Sequence, residues 1–253
     1  MKPKLKDLRK MYLDMNLPAV LDFVKFSTIS IVYHSTKIEG CQLDELDTRI
    51  LIEDGLTAKG KPLTDHLMVQ DHYNAFKYVR QWAGDKGDLT PKFAQEVCAR
   101  VKQRTGGITK TPLGMFDTSK GDLRLSAVYT DSRYFPDCTK VPSLLINLCT
   151  GVSSRLGQVQ GIETLKLAAD LHYGIVDIHP FGDGNGRVAR LLMNYVQMYH
   201  GEPLIKIFSE DRKEYLEALQ ESDKTKCAEP LYQFIMGQQI KFLGLEIDKF
   251  ENK

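Results

Sequence analysis

Apolar residues along this chain recur mostly at three- and four-residue spacings, the period of a helix with one buried face. The clearest run is Val188, Leu191, Leu192, Tyr195, Val196 and Tyr199, and Leu165, Ala168, Leu171, Ile175 and Ile178 form a second one just upstream. The same periodicity predicts helices near 18–39, 43–55, 66–83, 91–104, 140–154, 162–178, 186–200, 211–221 and 229–248. One segment alternates instead. Between Leu123 and Phe135, the residues Leu123, Leu125, Ala127 and Tyr129 interleave with Arg124, Ser126, Val128 and Thr130, and Asp131-Ser132 suits a turn between two short strands. The stretch before it, 105–122, is rich in Gly and Thr and reads as a long loop. The pattern predicts a mostly α architecture with one small β-hairpin. Internal repeats are absent, and Ala58–Pro62 is the best linker candidate without being strong enough to split the chain.

Composition narrows the class more than the function. The 253 residues suit one large domain or one domain with an appended helical region, and a net charge of +1 gives no case for a nucleic-acid or acidic-membrane partner. No apolar run approaches the roughly 18 residues that span a bilayer, so no membrane association is expected. The basic start lacks the apolar stretch of a signal peptide. Cys41, Cys98, Cys138, Cys149 and Cys227 are odd in number and form no CxxC pair, which points to reduced thiols, a cytoplasmic protein and no zinc site.

The chemistry concentrates in residues 179–190. Gly182, Gly184 and Gly186 bracket Asp183 and Asn185, and a helix starts at once. Glycine lets successive N–H groups point inward, and the free N–H groups of a first helical turn add positive potential, so an anion such as a di- or triphosphate belongs there. Arg187 and Arg190 lie three apart on one face, with forked guanidinium groups that suit phosphate oxygens. Asp183 is the natural anchor for Mg²⁺, which is usually held by one or two carboxylates with phosphates and water. His179 ends the preceding helix, and a neutral imidazole is the usual base for a hydroxyl nucleophile. Phe181, apolar within a polar loop, is expected to plug the core.

This segment resembles, without a mismatch, the Fic family signature His-x-Phe-x-Asp/Glu-Gly-Asn-Gly-Arg-x-x-Arg. The resemblance implies a Fic-fold helical bundle and a Mg²⁺-dependent protein adenylyltransferase, moving AMP from ATP to a Ser, Thr or Tyr hydroxyl. It implies that His179 is the general base, Asp183 holds the metal and Asn185 contacts the α-phosphate. Gly184 and Gly186 would cradle the phosphates, with Arg187 and Arg190 on the β and γ groups. Relatives that transfer phosphate carry Lys where this chain has Gly186, so nucleotidyl transfer is favoured.

A second motif, Ser35 to Gly40, stands far upstream. Glu39 would close a helix, where the macrodipole disfavours a carboxylate, so it is either exposed or paired with a cation. The resemblance supplies a partner: Ser/Thr-x-x-x-Glu-Gly/Asn is the inhibitory motif of Fic proteins, which implies that Ser35 and Glu39 belong to a brake and that Glu39 pairs with Arg190. It further implies that residues 1–60 form an N-terminal helical region carrying the inhibitory helix, and that 61–253 form the catalytic core. The hairpin at about 123–135 would be the flap that lays a target segment alongside it. Tyr215 falls where relatives place aromatics near the adenine; the next position, where many have a second one, is Leu216. No winged helix follows, so no DNA-binding module is expected.

Self-modification is an expected activity, and homo-oligomerisation stays open. Two other readings share these residues: removal of AMP from modified targets with Glu39 catalytic, and a nucleotide-responsive regulatory binding protein. The target, the nucleotide preference and the signal that releases the brake are not written in the sequence.

Overall fold

The computed structural model describes residues 1–16, 23–130 and 133–251. Among them are ten α-helices and two small antiparallel hairpins. The centre of the bundle is the pair α7 (Glu163–Ile178) and α8 (Asn185–His200). Helix α8 has no solvent face over most of its length: Arg187 through Gln197 are all buried. Besides α7, it packs on α4 (Leu63–Gly84) and α5 (Pro91–Val101). Such an all-round buried helix needs its polar groups satisfied inside. Asn194 meets that need by holding the chain that follows α8, donating to the Ile205 carbonyl at 2.9 Å and accepting from its N–H at 2.8 Å.

Helix α2 (Phe23–Ile38) lies on α4 and touches α8, and α3 (Glu45–Asp54) follows it. A reciprocal capping box between Asp44 and Asp47 starts α3, and Gly55 in the left-handed region ends it. The predicted helix 18–39 is described only from Phe23 onward; its first residues, 18–22, lie outside the described residues. Helix α1 (Lys2–Asp14), which the pattern did not predict, packs on α10 (Glu229–Glu251). Arg9 fixes it from the inside, donating to Gln239 at 2.7 Å and to Glu202 at 2.5 Å. Two further helices, α6 (Val141–Leu156) and α9 (Arg212–Thr225), pack on α7.

The β structure differs from the sequence expectation in two ways. The stretch expected as a loop contains a hairpin, β1 (Ile108–Thr111) paired with β2 (Gly114–Asp117), with Ile108 opposite Asp117. Its β-branched Ile108, Thr109 and Thr111 favour extended backbone, a preference masked by the glycines on either side. Conversely, among the described residues the alternating segment forms strands of two residues each, β3 (Tyr129–Thr130) paired with β4 (Arg133–Tyr134). The turn expected at Asp131-Ser132 lies outside the described residues. The apolar set is not the buried one: Arg124 is fully buried, while Ala127 and Tyr129 are exposed. Arg124 turns inward because four backbone carbonyls await it, as the site shows.

Candidate active site

Helix α7 ends at His179, which is held in the left-handed region (φ 51°, ψ 59°) and donates its N–H to the Ile175 carbonyl at 2.9 Å. That conformation is uncommon for a residue with a side chain and persists only where neighbours enforce it. Arg124 is the enforcer. Its guanidinium donates to the carbonyls of His179 (2.7 Å), Ser126 (2.6 Å), Pro136 (2.5 Å) and Ile178 (3.5 Å), tying the end of α7 to both shoulders of the β3–β4 hairpin. From that hairpin Phe135 lays its ring 4.2 Å from the His179 imidazole, centre to centre. Arg133 locks the hairpin down through Asp177 at 2.6 Å and Asp223 at 3.1 Å.

Beyond His179 the chain makes a compact loop. Phe181 is fully buried in the core, and Asn185 grips its backbone, accepting from the N–H at 3.0 Å and donating to the carbonyl at 2.9 Å. The Asn185 side chain is therefore held at both ends inside the loop, with one of its two amide hydrogens still unused. Gly184 caps α8 at φ 88°, a value that favours glycine. A β-carbon on Gly182 would stand 2.6 Å from Phe116, so β2 supports the loop from beneath.

The two arginines are in opposite states. Arg187 is 3% exposed, yet its Nε and Nη1 have no hydrogen-bond partner, and its nearest carboxylate oxygen is Asp183 Oδ1 at 3.6 Å. Buried donors without acceptors are costly and rare. Arg190 is held on three sides: Nε donates to Ser35 Oγ (2.8 Å), and Nη2 to the Ser35 carbonyl (3.0 Å) and Glu39 Oε1 (2.6 Å). Its Nη1 lies 3.4 Å from the Tyr215 hydroxyl, which in turn meets His172 Nε2 at 3.0 Å. Burial alone would raise the Glu39 carboxyl, but Arg190 and then Arg187 outweigh it and hold the group below its ordinary value. Arg212, at the start of α9, donates to the Ile38 carbonyl at 2.8 Å and closes the end of α2.

Burial lowers His179 to about 4, with Arg124 and Arg133 adding to the effect. Its Nδ1 meets no partner at good geometry, although the Val176 carbonyl acts on the ring in the opposite direction. The imidazole is thus neutral at physiological pH, the form that accepts a proton. A cavity of about 160 Å³ opens beside it, with Ile38, Val176, Leu216 and Leu219 as apolar wall and Glu39, Arg190, Arg212 and Tyr215 around the rest. Ligand pockets typically measure ~300–1,000 Å³; Glu39 and Ile38, from the end of α2, fill part of this one.

The structure brings together every site residue the sequence suggested: Ser35, Glu39, His179, Asp183, Gly184, Asn185, Gly186, Arg187, Arg190 and Tyr215. Tyr215 is buried with its hydroxyl spent on Arg190 and His172 while it also lines the cavity. Sequence reasoning missed Lys102, which pairs with Asp183, and also Arg124, Arg133, Phe135 and Arg212.

The family model described as Fic/DOC family matches residues 69–197. The chain is 32% identical over 223 residues to a protein adenylyltransferase Fic of Aedes aegypti, and 31% identical over 225 residues to one of Culex quinquefasciatus. Each match covers 87% of this chain but 42% of the relative, so the chain spans less than half the length of these relatives. A solved Fic domain containing signaling protein from Bacteroides thetaiotaomicron superposes with a TM-score of 0.82 at 25% identity, covering 99% of this chain and 98% of the other.

Proposed function

Because the chain belongs to the Fic/DOC family, we propose that it is a protein adenylyltransferase that moves AMP from ATP to a Ser, Thr or Tyr hydroxyl of a protein, under autoinhibition by Glu39. The observation that carries this reading is Arg187: a guanidinium buried beside a helix N-terminus with two unspent donors is a site built for an anion that arrives from outside. Its relatives named protein adenylyltransferase Fic support the choice of ATP.

In this reading the triphosphate lies across Gly184, the Asn185 N–H and Gly186 at the start of α8. Arg187 takes the β-phosphate, and Arg190 takes the γ-phosphate once Glu39 has left. Val176, Leu216 and Tyr215 line the space for the base. Asp183 fits Mg²⁺: it is a single carboxylate, 57% exposed, beside the anion position, and such ions are usually held by one or two carboxylates with phosphates and water. The ion would neutralise phosphate charge. His179, neutral and fixed by Arg124, takes the proton of the target hydroxyl. That oxygen then bonds to the α-phosphorus, and the bond from the α-phosphorus to the pyrophosphate leaving group breaks.

The β3–β4 hairpin is the flap along which a target strand would align, its backbone reading little sequence. Residues 1–60 carry the brake, and 61–253 form the catalytic core. With Glu39 and Ser35 holding Arg190, the γ-phosphate has no anchor and the α-phosphorus is misaligned for attack. Self-modification follows if the chain's own hydroxyls reach the site of another copy. No helix among the described residues is long and apolar enough to cross a membrane. The free cysteines support a reducing, cytoplasmic setting.

One observation favours a second activity at the same site. Only Oε1 of Glu39 bonds to Arg190; Oε2 makes no hydrogen bond among the described residues, and Glu39 lines the same cavity as His179. A carboxylate oxygen there suits the orientation of a water for removal of AMP from a modified protein.

Intact-mass spectrometry of the Glu39→Gly chain after incubation with Mg²⁺ and ATP tests the assignment. The expected product is protein heavier by whole adenylate units. A phosphate increment, or an unchanged mass in the presence of varied protein acceptors, would contradict adenylyl transfer.

A further inference from the structure

Asp183 already has a cation. Lys102, the residue that follows α5, donates its ammonium to Asp183 Oδ2. The pair is lopsided: the Lys102 side chain is 7% exposed and that of Asp183 57%. A lysine this buried is costly to leave unpaired, and among the described residues Asp183 is the only carboxylate it pairs with. Its stem is also fixed. A β-carbon on Gly184 would stand 3.4 Å from Lys102 Cγ and Cδ, and the Lys102 carbonyl accepts the Gly106 N–H at 2.7 Å. The other carboxylate oxygen, Oδ1, is tied into the loop by the Gly184 N–H at 2.6 Å, with Arg187 Nη2 3.6 Å away. Oδ2 is therefore the oxygen a metal would use, and an ammonium stands against it.

We propose that Lys102 is a resident counter-ion at the metal position of Asp183, exchanged for the divalent cation when the nucleotide binds, and that it sets how strongly nucleotide binding depends on metal. The proposal rests on the assignment of Asp183 as metal anchor. Two opposed effects follow from charge alone. Without metal, Lys102 cancels the Asp183 charge, so a bare triphosphate meets less repulsion. With metal, Lys102 must leave Oδ2, and that cost weakens metal binding. The phosphates that arrive with the metal are the anions that can take over the freed ammonium. Lys102 thereby narrows the difference between metal-free and metal-loaded binding, and its removal widens the difference from both sides.

The test measures the affinity of α,β-methylene ATP by calorimetry, once with Mn²⁺ and once with EDTA. The reference protein is the Glu39→Gly chain, in which Arg190 is free; Lys102→Met and Asp183→Asn are added to it separately. The ratio of metal-loaded to metal-free affinity is expected to rise about threefold to tenfold in Lys102→Met, and Lys102→Arg is expected to restore the reference ratio. An unchanged or smaller ratio in Lys102→Met overturns the proposal. Should that chain fail to fold, Lys102→Gln carries the same expectation. If Asp183→Asn abolishes the metal dependence while Lys102→Met does not alter it, Lys102 alone is misassigned. If Asp183→Asn leaves the ratio at its reference value, Asp183 is not the metal anchor, and both readings fall.

Discussion

Glu39 Oε1 stands 2.6 Å from the point a β-carbon on Gly186 would occupy, so Glu39 and the glycine loop share one small space. Gly186 has an ordinary backbone, with no positive φ that would demand glycine; the close approach of Glu39 is what demands it here. A β-carbon there would also stand 3.1 Å from Arg190 Nη1, so replacing Gly186 by Ala crowds the Glu39–Arg190 pair and displaces the flexible carboxylate end. Gly186→Ala is expected to label itself from α-labelled ATP more strongly than wild type and less strongly than Glu39→Gly. Labelling no higher than wild type in a folded Gly186→Ala chain that still binds α,β-methylene ATP would show that Glu39 yields without releasing Arg190.

Arg190 is 5% exposed, and among the described residues Glu39 is the only carboxylate it pairs with. Glu39→Gly leaves that guanidinium with Ser35 and Tyr215, at an expected cost of about 1–3 kcal/mol, or roughly 2–4 °C in Tm for each kcal/mol. A nucleotide that brings its own phosphate to Arg190 should recover the loss. Thermal melting with and without Mg²⁺ and α,β-methylene ATP checks this: the stabilisation by nucleotide is expected to be larger in Glu39→Gly than in wild type.

Tyr215 separates two roles that the sequence left entangled. If it acts through its ring against the base, Tyr215→Phe binds ATP as well as its parent. Its hydroxyl, however, sits between Arg190 Nη1 and His172 Nε2, with both distances within 3.4 Å. In the Glu39→Gly chain, Tyr215→Phe is therefore expected to weaken ATP binding about threefold to tenfold and to leave kcat close to its parent's. Calorimetry and initial rates give both quantities.

Buried histidines make the fold sensitive to acid, His72 and His200 too being held below their ordinary value by burial. Burial, the leading cause in each case, lowers His34 and His179 to about 4 and His172 to about 3. The unfolded chain takes up protons at these positions from about pH 6.5 downward, while the folded chain refuses them until about 4 or below. The stabilisation is thus fully present above pH 6.5 and is lost as pH falls toward 4, by about 1.4 kcal/mol per pH unit for each histidine. Urea unfolding at pH 7, 6 and 5 should show this fall, and His179→Ala should remove one histidine's share of the slope. The His179 ring resonance is expected not to titrate between pH 5.5 and 8.

What the sequence disclosed follows from distance along the chain. The loop was legible because its glycines, Asp183, Arg187 and Arg190 are contiguous and each brings its own chemistry. Helices α7 and α8 were legible because one face repeats at helical spacing. Arg124 and Lys102 were not, since they reach the loop from 55 residues (to His179) and 81 residues (to Asp183) away, and nothing local distinguishes them. Arg212 left a faint sign: a cation in the first turn of a helix opposes the macrodipole, just as Glu39 does at the end of α2. Each of these misplaced charges has its partner on the other element or beyond it, Arg212 on the Ile38 carbonyl and Glu39 on Arg190. The buried hairpin supports were hidden for another reason. Phe116 looks like a lone aromatic in a glycine-rich loop until its contact with Gly182 is seen.

The Glu39 brake and the His179 base meet in one comparison that tests both. Wild type, Glu39→Gly and Glu39→Gly/His179→Ala are incubated with Mg²⁺ and α-labelled ATP, and label on protein is measured. Strong labelling is expected in Glu39→Gly, little in wild type and none in the double variant. Equal labelling of wild type and Glu39→Gly would contradict the brake, and labelling that survives in the double variant would contradict the base.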